Sequence, residues 1–267
     1  MRRRFAIWRA QSRNTLAIQL HYRVALVIWM IGLVLSPLIY LVVWTTVARA
    51  QGGSVASYST HDFAGYFILL MIVDHITFTW VIFNADFRIR QGQLSPLLLR
   101  PVHPINADIV ENATFKLLML AVIIPAAVVL SLVFSPHLAP APWAVVAFFP
   151  ALALAAVLRF TVEWTVSLIS FWISRMAALD QMYYVLVLFL SGQVAPIALF
   201  PAPVRLVANV LPFRWMVAFP VELLLGRVSP RDALIGFGIL LLWLAAGIAL
   251  LRFTWRRGVR QYSAVGA

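Results

Sequence analysis

The chain has 267 residues, 63% of them hydrophobic and only 11% charged, with a mean hydropathy of +0.92. A soluble domain of this length carries about a quarter charged residues, so most of this surface must meet a solvent other than water. The remaining charge is lopsided, 21 Lys+Arg against 9 Asp+Glu, with Lys116 the sole lysine. This composition excludes a disordered or collagen-like chain, and the absence of cysteine excludes a disulfide scaffold, a thiolate metal site and a cysteine nucleophile.

Residues 1–23 intersperse Phe5, Trp8, Leu16, Ile18 and Leu20 with arginines. The pattern predicts an amphipathic helix in the cytoplasmic interface, with Trp8 at the boundary and arginines toward anionic headgroups. A basic tail obeying the positive-inside rule is the simpler alternative. The following apolar run starts too late, and lacks the small-residue cleavage site, for a removable signal peptide.

Six uncharged or nearly uncharged apolar stretches have the length a helix needs to cross about 30 Å of hydrocarbon. They are residues 24–47, 63–83, 117–134, 143–173, 182–200 and 233–251. Ten-residue segments of alternating polarity, the sign of a barrel, do not appear. The expected fold class is an all-α membrane protein, a single transmembrane domain over residues 1–267. Of the 21 basic residues, fifteen fall on one alternating set of flanks and five on the other, so both termini are expected on the cytoplasmic side. The fourth stretch is long for one crossing and is expected to tilt or project.

Two connections stand out. Residues 84–111 form a basic cytoplasmic segment in which Gly92 permits a turn and 95–100 can form a short helix with Pro96 in its first turn, stopped by Pro101. Leu97, Leu98 and Leu99 would then be presented between arginines, and such a row needs a cover from the protein, the lipid or a partner. On the opposite side, residues 196–231 break apolar pieces with six prolines, which suits a re-entrant hairpin with Phe213, Arg214 and Trp215 at the interface.

Three ionisable residues fall inside apolar stretches: Asp74, Arg159 and Glu163. Such groups survive mainly when paired or functional. Arg159 and Glu163 are four apart on one helix face, in the less favourable order, which leaves room for Asp74 to share the arginine. They either neutralise one another and lock helices together, or line a polar cavity on a pathway. Gly32, Gly236 and Gly238 are expected at close-packing points. The histidines lack H-E-x-x-H spacing, so no metal site is expected.

The order of parts resembles the permease subunit of type 2 ATP-binding-cassette transporters. Two stretches carry the likeness: Arg88-Ile89-Arg90-Gln91-Gly92-Gln93-Leu94-Ser95-Pro96-Leu97-Leu98-Leu99-Arg100-Pro101 is similar to that family's loop after the second span, and Leu211-Pro212-Phe213-Arg214-Trp215, before Glu222 and Gly226, is similar to its proline-aromatic segment. The resemblance implies that Arg88, Arg90, Gly92, Leu94, Leu97, Leu98 and Arg100, with Trp8 on the N-terminal helix, rest on a separate cytoplasmic ATPase. It also implies a second permease chain, identical or sister, beside this one. A phosphate-cradling loop needs Gly-Lys-Ser/Thr, whereas Lys116 follows Phe115, so ATP and Mg are expected on the partner and no cofactor on this chain. The expected function is ATP-driven export of a hydrophobic or amphipathic substrate, with membrane lipids as surroundings and no nucleic-acid partner. The rivals are an intramembrane enzyme acting on lipid phosphates, which would need clustered acids, and a non-transporting scaffold.

Overall fold

The computed structural model describes residues 2–21, 23–173 and 176–262, with the side chains of residues 2–7, 20 and 23–26 left aside. Arg175 and the side chains of Arg2, Arg3, Arg4, Phe5, Leu20 and Arg23, all used above for orientation or amphipathicity, therefore lie outside the described residues.

Helix α1 (Arg2–His21) is followed by α2 (Arg23–Ala50). A two-strand hairpin, β1 (Ser54–Val55) with β2 (Tyr58–Ser59), leads into α3 (Thr60–Thr77). Then come α4 (Val81–Arg90), α5 (Ser95–Leu98), α6 (Ile105–Phe134), α7 (Pro142–Ser167) and α8 (Met176–Leu190). Three short helices, α9 (Ala202–Val210), α10 (Phe213–Met216) and α11 (Ala218–Leu224), precede α12 (Pro230–Gln261).

The starts of α3 and α12 are written locally. Ser59 accepts the Asp62 amide and Asp62 accepts the Ser59 amide, a capping box that satisfies two orphan donors. Ser229 caps α12 through the Asp232 amide, with Pro230 in the first turn. Arg227 reaches Asp62 at 2.8 Å, tying these two helix starts together.

Among the described residues, five helical segments are long and apolar enough to cross a membrane: 27–50, 60–90, 105–134, 142–171 and 230–261. The expected stretch 182–200 is not one helix. Helix α8 begins earlier, at Met176, and ends at Leu190, because Gly192 takes a left-handed φ of +89° and Pro196 cannot continue a helix. Its 15 residues reach about 22 Å, less than a full crossing.

The 84–111 connection also differs from expectation. Residues 84–90 complete α4 and residues 105–111 are the first turns of α6, leaving a tight corner around α5. The fourth stretch is 26 residues of α7 closed by a 3-10 turn at Leu168–Phe171.

Helix α3 is the axis of the bundle, packed by α2, α6, α7 and α11, and its Phe63, Tyr66, Phe67 and Met71 are fully buried. Helices α2, α6 and α12 instead turn large apolar side chains outward, as Ile28, Leu132 and Leu242 show. Such an inside-out distribution is what an apolar solvent permits. Short α11 is in the core, with Phe219, Val221 and Leu223 buried. Phe213 and Trp215, expected at the interface, are also buried, against α7 and α8 among others, because α10 turns inward at Pro212.

The two ends of the bundle are distinct. At one, Ser95 meets the Tyr262 hydroxyl at 3.1 Å, and Tyr262 packs on Phe171, so the α5 corner, the end of α7 and the end of α12 come together. At the other, His61 binds the Ser135 carbonyl at 2.7 Å and Arg227 stacks on Tyr58, whose phenol burial pushes up to about 12.

Candidate functional site

Helix α3 stops at Thr77 and α4 starts at Val81, without proline or glycine between them. Thr77, Phe78, Thr79 and Trp80 are β-branched or aromatic, and threonine hydroxyls compete for backbone groups, so the helix is weak here. Thr77 donates to the Asp74 carbonyl, and the Val81 amide donates to the Thr79 hydroxyl. The break is held from the side by α7: Thr79 donates to Glu163 Oε2 in a very short contact.

Around this break the structure brings Asp74, Arg159 and Glu163 into one network. Arg159 donates through one terminal nitrogen to Asp74 Oδ1 at 2.6 Å and to Thr77 Oγ1 at 3.0 Å, and through Nε to Glu163 Oε1 at 2.9 Å. Its guanidinium also lies 5.3 Å from the Phe78 ring centre. Arg159 and Glu163 are buried, whereas the Asp74 side chain keeps 29% of its surface exposed. Gln193, just past the Gly192 turn, donates to the same Asp74 oxygen at 2.7 Å, and Tyr183 reaches Glu163 at 3.5 Å. Thr77, Thr79, Tyr183 and Gln193 were missed in sequence. Gln193, an amide inside an apolar run, was the available signal.

Three adjoining cavities, of about 440, 270 and 470 Å³, meet at the break, and Phe78 and Trp80 line all of them. Asp74 and Arg159 line the first, while Asp108 and Glu111 line the third. Gly32, expected at a packing point, lines the first and has no neighbour within 4 Å of a Cβ position; Gly238 likewise faces open space. Gly236 does touch Phe219 closely, and Gly258, not singled out in sequence, touches Phe171.

The segment after the break bears the basic corner. Arg88 donates to Asp108 Oδ1 at 2.6 Å, and Trp164 donates to Asp108 Oδ2 at 2.9 Å. Arg90 pairs with Asp86 one turn back. The Asp108 partner, twenty residues from Arg88, had no local signal. Gly92 takes φ +68° to turn the chain, and Leu94 is buried beneath the corner. Leu97 and Leu98 are half-buried, so of the leucine row Leu99 alone, 88% exposed, is fully presented, beside exposed Arg100. Trp8, on α1, is also exposed. His103 sits 4.5 Å from Trp255 and 5.8 Å from Trp164, and burial lowers its pKa although Asp108 pulls it up.

Long apolar helices enclosing a paired charge cluster beside open cavities define a multi-pass membrane protein. The family model of the ABC-2 family transporter protein matches residues 33–266, and the chain belongs to that family. It is thus a transmembrane permease of the type 2 ATP-binding-cassette class, a family whose members imply pairing with an ATP-binding-cassette subunit. No curated protein and no solved structure matches the chain.

Proposed function

We propose that this permease is the membrane half of an ATP-driven exporter that moves a hydrophobic or amphipathic substrate outward. A separate ATPase holds the ATP and Mg, and two permease chains, identical or sister, enclose the path in the cell membrane. In this reading the polypeptide crosses six times, with α8 as the short fifth crossing, α9 to α11 as the re-entrant hairpin, α1 in the interface, and both termini cytoplasmic. The positive-inside distribution of arginines supports that orientation.

The observation that carries the reading is a continuous path of contacts from the exposed corner to the buried charges. Leu99 and Arg100 project at the corner, Arg88 fastens the helix leading into it to Asp108, and Asp108 holds Trp164. Trp164 is the neighbour on α7 of Glu163, which holds Thr79 in the α3–α4 break while Arg159 holds Asp74 and Thr77 at the end of α3. A push on the corner by an ATPase therefore has a mechanical route to the cavities. Discontinuous helices at mid-membrane sites recur in transporters because irregular backbone is tolerated where it lines a cavity. Two of the acids that an enzyme on lipid phosphates would use are held by arginines instead, Asp74 by Arg159 and Asp108 by Arg88.

The test is co-purification of the tagged chain with its ATPase, followed by reconstitution in vesicles. Export predicts ATP-dependent movement of an apolar dye away from the ATPase side, abolished by a hydrolysis-dead ATPase. An ATPase that never accompanies the chain would overturn it in favour of a scaffold.

A further inference from the structure

We propose that the paired cavities at the α3–α4 break bind organic cations with an apolar body, such as quaternary ammonium or phosphonium compounds, with Asp74 as counter-charge and aromatic rings as walls. This deepens the export reading above by naming a substrate class, and it rests on that reading only for the transport step.

The walls are aromatic on several sides. In the 440 Å³ cavity Trp29, Tyr40, Phe78, Trp80, Phe115 and Tyr184 face the space. Trp29 and Trp80 meet edge to face at 4.6 Å, and Phe78 and Trp80 at 5.1 Å. Such rings present negative faces to a cation, and desolvation strengthens the attraction. Arg159 already lies over Phe78, so the surroundings accommodate one positive group.

The charge on the wall is negative where it is accessible. Arg159 and Glu163, 4% and 3% exposed, offset each other. Asp74 offers its Oδ1 to Arg159 and Gln193, while its Oδ2 has no hydrogen-bond partner among the described residues. In the adjoining 470 Å³ cavity the charged lining consists of Asp108 and Glu111, with neither lysine nor arginine among its described lining residues. Asp108 is consumed by Arg88, but Glu111 is exposed and has no ion pair among the described residues. Lys116 lies one turn further along α6 and lines neither cavity. The His75 ring lines both, with Nε2 at 3.1 Å from the Lys116 carbonyl. Glu111 nearer the corner and Asp74 deeper thus form two successive carboxylates along one aromatic-walled space, which suits a cation entering from the corner end.

A matched ion pair tests this directly: tetraphenylphosphonium and tetraphenylborate have nearly the same size and apolar surface but opposite charge. Binding is followed by tryptophan quenching of the purified full chain in lipid nanodiscs, against empty nanodiscs, without ATP or ATPase. The expected result is saturable phosphonium binding at least about tenfold tighter than borate binding. Glu111→Gln, at an exposed site, and Trp80→Leu should each weaken phosphonium binding and leave borate unchanged; Asp74→Asn should weaken it most. Equal affinity for the two ions, or no saturable binding, overturns the proposal whatever the variants do. Phosphonium binding without ATP-driven movement would instead count against export while leaving this site standing.

Discussion

Trp164 donates its indole N–H to Asp108 at 2.9 Å, so the helix that carries the buried arginine also holds the carboxylate that anchors Arg88 at 2.6 Å. Asp108 thereby joins α4, α6 and α7 at one point. Replacing it with alanine strands a mostly buried guanidinium and an indole N–H, and the penalty for an unsatisfied buried group is about 1–3 kcal/mol. Asp108→Ala is expected to lower the thermal midpoint and to uncouple substrate from ATP hydrolysis. Trp164→Phe, which removes a single hydrogen bond worth about 1 kcal/mol, should show the same defect more weakly. Differential scanning fluorimetry and substrate-stimulated hydrolysis measure the two effects separately.

The buried arginine separates locking from transport. Arg159→Met leaves Asp74 and Glu163 facing each other without a cation, and breaking a buried pair costs about 3–5 kcal/mol. Loss of folded protein is the expected outcome. The charge-free combination Arg159→Met, Asp74→Asn, Glu163→Gln should recover much of the folding, since it leaves no uncompensated buried charge. If the recovered protein transports normally, the three charges serve only to hold helices together; the present account expects transport to stay impaired.

Gly192→Ala tests the turn that delivers Gln193 to Asp74. Gly192 has φ +89°, and a Cβ there would come within 2.5 Å of the Tyr66 hydroxyl, which donates to the Gly192 carbonyl. The expected cost is about 1–3 kcal/mol from backbone strain and the clash. Pairing it with Tyr66→Phe should recover only the part due to the clash. Chemical-denaturant midpoints of the single and double variants give the split.

Much of this arrangement could be read from the sequence, for physical reasons that vary along the chain. Apolar length marked the long helices, and Gly92 with Pro96 and Pro101 marked the corner, because these signals are local. The meeting of Asp74 with Arg159, 85 positions apart, could be anticipated since a buried charge demands a partner. Asp108 could not be assigned to Arg88 in the same way, because a carboxylate in the first turn of a helix has an adequate role as a dipole partner already. The break after Thr77 was also hidden: a Thr-Phe-Thr-Trp run is apolar enough to read as span, and its weak helix propensity becomes a break where Glu163 from α7 holds Thr79.

Two glycines on α12 make a controlled comparison. A Cβ on Gly236 would collide with Phe219, whereas one on Gly238 would meet nothing within 4 Å. Gly236→Ala is expected to destabilise the protein, and Gly238→Ala to be neutral or stabilising by up to about 1 kcal/mol, the helix-propensity difference. Thermal midpoints in detergent measure both.

His103 gives the corner a pH dependence. Its Nδ1 accepts the Ile105 amide at 3.2 Å, which the neutral ring alone can do, and burial lowers its pKa. A depressed folded value means the stability contribution is complete above the unfolded value, about 6.5, and is lost as pH falls from there through the folded value. Wild type should therefore lose thermal stability on acidification below about pH 6.5 more steeply than His103→Gln. Parallel melting curves for the two would argue against a role for this ring.

The central claim, that the corner at residues 88–101 meets a separate ATPase, can be tested by placing one thiol there, because the chain has no cysteine of its own. Leu99→Cys sits at the corner, 88% exposed, and Leu234→Cys, 74% exposed near the start of α12, serves as the control at the opposite end. With a short amine-to-thiol crosslinker in membranes containing the co-expressed ATPase, Leu99→Cys is expected to give a permease–ATPase adduct and Leu234→Cys none. No adduct from Leu99→Cys, or equal adducts from both, would contradict the account.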